Sequence, residues 1–288
     1  MGEVVCRAAQ AAGWQVLAPT RAECDLRYPE AVGYYVLDHP AEAVVNCAAV
    51  SGLEACLDDP LSAHLVNAVA PAQMALACRH TGARFVHLST DYVLDGRRPG
   101  LKPECAKCKP INTYGESKRE GELQVQEALA AALILRVSWV CGNARLPSFV
   151  EGALAKALRG EPLAAIADKY SLPTHAADIA RVILELLPRP VSGIYHLCSV
   201  GEPLSWHGCA TRALACAAEL GALSTAPQVA EQRMADATFF RDPRPLHTAM
   251  DTTALRILGV ALPTAADTLR RAVQDYLAAG ACGASCRK

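Results

Sequence analysis

Hydrophobic positions in the first half of the chain follow two alternating periods. Short apolar runs at residues 43–47, 84–89 and 133–137 have the length of buried strands. Between them, residues 60–79 and 114–132 carry apolar positions at helical spacing, the first stretch closing at Thr81-Gly82. Residues 3–12 also have a helix-forming composition and stop at Gly13, after which residues 14–18 predict another short strand. Strand and helix in alternation predict an α/β fold around a doubly wound parallel sheet. Such a domain ordinarily opens on a strand, whereas here a helix comes first. The expectation is therefore a sheet whose first strand is missing and a domain truncated at its N-terminus.

The second half is broken by Pro147, Pro162, Pro173, Pro188, Pro190 and Pro203, with apolar helical segments at 179–187, 209–220 and 268–277. It predicts a smaller C-terminal α/β domain. The division is 1–142 for the nucleotide-binding part and 143–288 for the substrate-binding part, with segments around 162–198 returning to the first sheet.

Composition narrows the function. At 288 residues, 52% hydrophobic and 20% charged, the chain can bury a large core. A net charge of −1 offers nothing to nucleic acid or an anionic membrane surface. The longest unbroken apolar run, 128–135, lies between Glu127 and Arg136 and is far shorter than the ~18 residues of a spanning helix. Glu3 stands where a secretory signal would be basic, and Cys6 where N-acylation needs Ser or Thr. A cytoplasmic protein is expected. Thirteen cysteines scattered through apolar stretches then read as buried thiols. Cys105 and Cys108, with Cys282 and Cys286, could supply four zinc ligands, but the second pair has the wrong spacing for a zinc ribbon, so no metal is expected.

Two short motifs carry chemistry. In Tyr114-Gly-Glu-Ser-Lys118 the phenol and the ammonium are four residues apart, hence on one helix face. A neighbouring positive charge lowers a tyrosine pKa and suits the phenol to proton exchange with a carbonyl or alcohol. Ser89-Thr90-Asp91-Tyr92-Val93 follows an apolar strand directly, which puts hydroxyls at the carboxyl edge of a parallel sheet, where ligands bind. Each motif alone also has an ordinary structural reading, a solvated surface lysine and a capping turn. Their pairing, 24 residues apart, points to a site.

Those motifs, with Pro110-Ile-Asn112, Gly121-Glu122, Arg136-Val-Ser-Trp139-Val, Asp168, Pro173-Thr174, Asp178-Ile-Ala180, Gly193-Ile-Tyr195-His196, Arg244-Pro245 and Met250-Asp251-Thr252 in order, resemble the extended short-chain dehydrogenases. Within them the chain is most similar to the dTDP-4-dehydrorhamnose reductase family. The resemblance covers nearly the whole chain and implies a Rossmann-type domain. It implies Thr90, Tyr114 and Lys118 as the catalytic trio, and Asp91, Tyr92 and Trp139 facing the sugar; Trp139 also reads as a core aromatic. It implies Gly2, Asp25, Leu26, Asn46, Ala48, Ala49, Tyr114 and Lys118 against the dinucleotide. The family opens with a strand and Gly-x-x-Gly-x-x-Gly, of which only Gly2 has a counterpart. Met1 is accordingly read as an internal methionine of that loop, the alternative being a chain that binds nucleotide poorly.

The cofactor implied is NADPH, on the strength of Arg21 beyond the second strand, with NADH possible as well. The activity implied is reduction of dTDP-4-dehydro-β-L-rhamnose to dTDP-L-rhamnose by a cytoplasmic enzyme that pairs as a homodimer in some relatives. Reduction of another nucleotide 4-ketosugar stays open. So does a non-catalytic regulatory subunit like that of methionine adenosyltransferase. Dehydration is disfavoured, because Tyr92 occupies the place of the extra acid it needs.

Overall fold

The computed structural model describes residues 1–142 and 148–285, with side chains to 280. In chain order the helices and strands are α1 (Gly2–Ala11), α2 (Pro29–Asp38), β1 (Ala43–Asn46), α3 (Leu53–Asp58), α4 (Pro60–His64), α5 (Ala70–Thr81), β2 (Arg84–Thr90), α6 (Thr113–Ala128), β3 (Leu133–Val137) and β4 (Val140–Cys141). There follow α7 (Phe149–Leu158), β5 (Leu163–Ile166), β6 (Tyr170–Ser171), β7 (Thr174–His175), α8 (Ala176–Leu186), β8 (Gly193–Leu197), β9 (Leu204–Ser205), α9 (Trp206–Glu219), β10 (Val229–Gln232), α10 (Thr253–Ile257) and α11 (Ala265–Ser285).

β1, β2, β3 and β8 form a parallel sheet in that order, so β8 from the second half of the chain lies beside β3 from the first. Side chains alternate across a strand. Leu133 and Leu135 of β3 therefore face one core with Val86 and Leu88, and Ile134 faces another with Phe85. The first core is closed by Val5 of α1, Ile179 and Ile183 of α8 and Leu255 of α10. The second is closed by Val32 of α2, Ala75 and Cys78 of α5 and Val125 of α6. Burial on both faces is why these strands read as continuous apolar runs rather than alternating ones. A third core joins Leu154 of α7, Leu214 of α9 and Leu269 of α11 beneath the parallel pair β5–β10.

Residues 14–18 are not a strand. β1 is hydrogen-bonded to β2 alone among the described strands, and residues 14–18 do not pair with its other edge. Trp14 instead packs against the core shared by α1 and α8.

The expected helix at 60–79 is α4, a π-helical turn at Leu65–Val69, and α5. Pro71 explains the interruption. It has no N–H to give the carbonyl of Asn67, so a regular α-helix cannot continue through it. Gly121 of α6 comes close to the freed Asn67 carbonyl, where a Cβ would collide with it. By length and composition Pro60–Thr81 is apolar enough to cross a membrane, which the unbroken run at 128–135 did not indicate; 61% of its most apolar window is buried inside the fold, as a core helix is.

Candidate active site

β2 ends at Thr90 and turns at once through the single 3-10 turn Asp91–Val93. Thr90 caps that turn, its Oγ1 accepting from the Tyr92 amide at 3.2 Å. The Asn112 side chain caps α6, accepting from Gly115 N at 2.8 Å, and its own amide donates to the Pro243 carbonyl at 2.8 Å. Gly115 lets α6 press on the Tyr92 carbonyl, since a Cβ there would overlap it. These caps and close approaches bring Tyr114 beside Thr90. The two hydroxyls face each other, and the rings of Tyr92 and Tyr114 meet edge to face with centroids 5.9 Å apart.

Lys118 lies one turn further along α6 and is buried. Its Nζ donates to the Leu88 carbonyl at 2.7 Å and lies 3.1 Å from Nε2 of His87. The other ring nitrogen of His87 meets the Asn46 amide at 3.1 Å, and Asn46 Oδ1 accepts from Ala48 N at 3.0 Å. A polar thread thus runs from α6 to the end of β1. Burial pushes the Lys118 ammonium down to about 8, against the opposing charge of Glu122. Burial and then Lys118 push His87 well below its usual range.

The expectation that Lys118 lowers the Tyr114 pKa is not met. Burial raises Tyr114 above the ordinary phenol range, and Asp91's charge adds to it. The reason is geometric: the ammonium is committed to Leu88 and His87 rather than to the phenol.

The expected sugar-facing residues surround this pair. Asp91 is buried, its oxygens accepting from Thr90 at 3.3 Å, from Ser171 at 3.3 Å and from Thr248. Trp139 stands at the end of β3 with φ +41, a conformation non-glycine residues rarely hold. Its ring lies 6.0 Å from Trp206, and its buried indole N–H has no partner among the described residues. Trp139 packs against the third core, as a core aromatic does, and also carries a spare donor. Trp206 stacks on Phe149 at 5.3 Å, and the Arg244 guanidinium lies 3.6 Å from the Phe240 ring centre while donating to Glu54 of α3 at 2.9 Å.

The residues expected against a dinucleotide are spread more widely. Gly2 opens α1 close to Cys47, next to Asn46, Ala48 and Ala49. Asp25 and Leu26 sit in the loop before α2, where Arg27 clamps Asp25 at 2.6 Å and holds its carboxyl well below the usual range. Arg21 is exposed, 3.5 Å from the same carboxylate. This loop lines a surface recess with Glu23, Tyr28 and Val32.

Three further groups were not anticipated as site residues: His87, Lys169 and the ion pair Glu122–Arg136. Their signal was polar residues inside apolar runs, His87 in a strand and Lys169 between strands. Arg136 donates to both oxygens of Glu122 at 2.7 Å, and Ser89 donates to Glu122 at 2.6 Å. Arg136 also donates to Cys108 Sγ at 3.1 Å, which gives Cys108 a packing role, whereas Cys105 is exposed. No group of three or more His, Cys, Asp or Glu is arranged to hold a metal among the described residues. The side chains of Cys282 and Cys286 lie outside them.

Residues 1–279 match the family described as RmlD substrate binding domain. The chain is 36% identical over 203 residues to a dTDP-4-dehydrorhamnose reductase of Burkholderia thailandensis, covering 67% of each chain. It is 29% identical over 275 residues to the spore coat polysaccharide biosynthesis protein SpsK of Bacillus subtilis, covering 96% of this chain and 94% of that one. Its fold matches the crystal structure of dTDP-4-dehydrorhamnose reductase from Bacillus anthracis in complex with NADP, with TM-score 0.85, 23% identity, and coverage of 96% and 95%.

Proposed function

The chain belongs to the RmlD substrate binding domain family, and from that premise we propose that it is an NADPH-dependent reductase converting dTDP-4-dehydro-β-L-rhamnose to dTDP-L-rhamnose in the cytoplasm. The observation that carries the reading is the hydroxyl pair Tyr114–Thr90 at the carboxyl edge of β2, Thr90 buried and Tyr114 half-buried, beside Asp91 and Tyr92. It is a proton donor with an orienting neighbour, placed where a keto oxygen can meet both.

The residues at the nicotinamide end suit the cofactor. The buried Lys118 ammonium has, among the described residues, two bonds and three protons, leaving one for a ribose hydroxyl. Asn46, Ala48 and Gly2 lie together at the end of β1 and the start of α1, where a helix amino terminus favours a phosphate. NADPH, when bound, supplies the hydride.

Tyr114 gives its proton to the keto oxygen as the alcohol forms. Its raised pKa keeps it a phenol at neutral pH, the form with a proton to give. Thr90 orients the oxygen. Lys118 holds the ribose and, through His87, keeps the end of β1 in register with α6. Trp139 offers its indole N–H to the nucleotide sugar, and Asp91 and Tyr92 bound the sugar's other side. Asp25, Leu26 and Arg21 take the adenosine half, and a homodimer is the assembly.

NADPH oxidation with dTDP-4-dehydro-rhamnose is the test. Tyr114→Phe is expected to lower kcat by about 10²–10⁴-fold with NADPH affinity retained. Unchanged turnover in that variant would remove Tyr114 from the chemistry. Absence of turnover in the unaltered chain, with another 4-ketosugar reduced instead, would move the substrate and keep the reaction.

A further inference from the structure

Lys169 is fully buried just before β6, and the reduction as described does not use it. Its Nζ sits 4.8 Å from the Tyr92 ring centre, 5.8 Å from Trp206 and 5.9 Å from Trp139, and donates to the Pro245 carbonyl. Three aromatic faces and one carbonyl are a cage for a cation. A buried ammonium still needs a counter-charge, and the anion acting on it is Asp91. The two make no direct ion pair, because both oxygens of Asp91 are taken by hydroxyls from three segments, Thr90, Ser171 and Thr248.

Burial raises the Asp91 carboxyl above its usual range; Lys169 and the three donating hydroxyls oppose this and favour the ionised form. Thr90 has a single proton. With that proton on Asp91, its oxygen can only accept, from the Tyr92 amide and from the Tyr114 hydroxyl. The hydrogen bonds therefore run one way, from Tyr114 to Thr90 to Asp91. If Asp91 took up a proton, Thr90 could turn and donate to Tyr114, which would favour the phenolate, the form with no proton to give.

We propose that Lys169 is a positioning residue for the reduction: it is the counter-cation of Asp91, and it fixes the direction of the Tyr114–Thr90–Asp91 chain. The inference rests on Tyr114 being the proton donor. Other titratable or charged groups facing the pair from the elements packed on it are Tyr92, Cys198, Arg244 and His247. Arg244 is the remaining cation near Lys169, but it is held by Glu54. Ser171 and Thr248 extend the same device, tying β6 and the segment before Met250 to the end of β2.

The experiment compares Lys169→Met, which keeps length and suits an aromatic cage, with Lys169→Arg, which keeps the charge. In Lys169→Met the acidic limb of the kcat/KM profile for the ketosugar is expected to move up by about one pH unit or more. Turnover near pH 6 should fall about tenfold and recover on the alkaline side, with the NADPH KM unchanged; Lys169→Arg should follow the parent. Independently of turnover, the side-chain carboxyl of Asp91 is titrated by 13C NMR in aspartate-labelled protein, assigned with Asp91→Asn. Its midpoint should rise in Lys169→Met and stay in Lys169→Arg. Acidic limbs or midpoints that coincide in Lys169→Met and the parent would overturn the proposal. A parent chain that turns over no ketosugar would overturn the functional reading instead, and the NMR midpoints would still decide whether Lys169 balances Asp91.

Discussion

At the scale of single residues, the costliest side chains in this protein are the buried charges, and their partners explain why they persist. Arg136 and Glu122 are 1% and 0% exposed and meet through two parallel hydrogen bonds of 2.7 Å. Arg119 and Ser89 fill the remaining acceptor positions on Glu122. Burial works to raise the Glu122 pKa, but the bonds and charge of Arg136, with Ser89 and Arg119, hold it below the usual range. A carboxyl depressed in the folded state stabilises the fold above its unfolded pKa, and that contribution is lost as pH falls through the folded value. Glu122→Gln leaves Arg136 buried without its counter-charge. It is expected to cost about 3–5 kcal/mol at pH 7 by urea denaturation, and to flatten the acid side of the stability curve below about pH 4. The Tyr114–Lys118 spacing was readable from the sequence, but the direction of the phenol's shift was not, because i and i+4 spacing says nothing about which other acceptors claim the ammonium.

At the scale of elements, the close approach of α6 to the chain before α5 sets where Tyr114 and Lys118 stand. Pro71 strips a donor from the Asn67 carbonyl, the π turn absorbs the mismatch, and Gly121 lets α6 come against the bared oxygen. The Asn67 side chain adds a hydrogen bond to Ser117 at 2.9 Å and anchors the loop after β1 through Val50 at 2.9 Å. Gly121→Ala must push the two apart, and its expected cost is about 1–3 kcal/mol in thermal or urea unfolding. Because α6 would move as a unit, turnover should fall more than stability alone explains, measured at a temperature where the variant is fully folded. The strands of the sheet and α6 were legible because burial on one or two faces imposes a period. Residues 14–18 have strand composition but no neighbour to pair with, and a ladder is a property of two segments.

At the scale of the whole molecule, the order of motifs along the chain carried the family. What stayed hidden was the set of partners contributed by distant segments, such as Thr248 on Asp91 and Arg244 on Glu54. The cysteine reading has a global consequence. Burial pushes Cys47 and Cys56 up to about 11, and Cys78 and Cys209 up to about 12. A thiol raised in the fold contributes stability that is complete below its unfolded pKa, near 9, and is lost as pH rises through the folded value. The buried lysines act oppositely from about pH 8, with Lys118 and Lys169 both near 8. These thiols, with Cys141 and Cys198 also raised by burial, outweigh two ammoniums once both sets titrate in the unfolded chain. Stability by urea denaturation is therefore expected to rise between pH 8 and 9 and decline by pH 10.5, with a shallower decline in Cys78→Ala. The aromatic cage has another kind of consequence. Two of the three tryptophans, Trp139 and Trp206, are held 6.0 Å apart at a 54° tilt beside the bound charge, and the third, Trp14, lies in a different core. Their coupled transitions make the pocket optically active in its own right. The protein thus carries a built-in spectroscopic gauge of the pocket around Lys169, with a distant indole as internal standard.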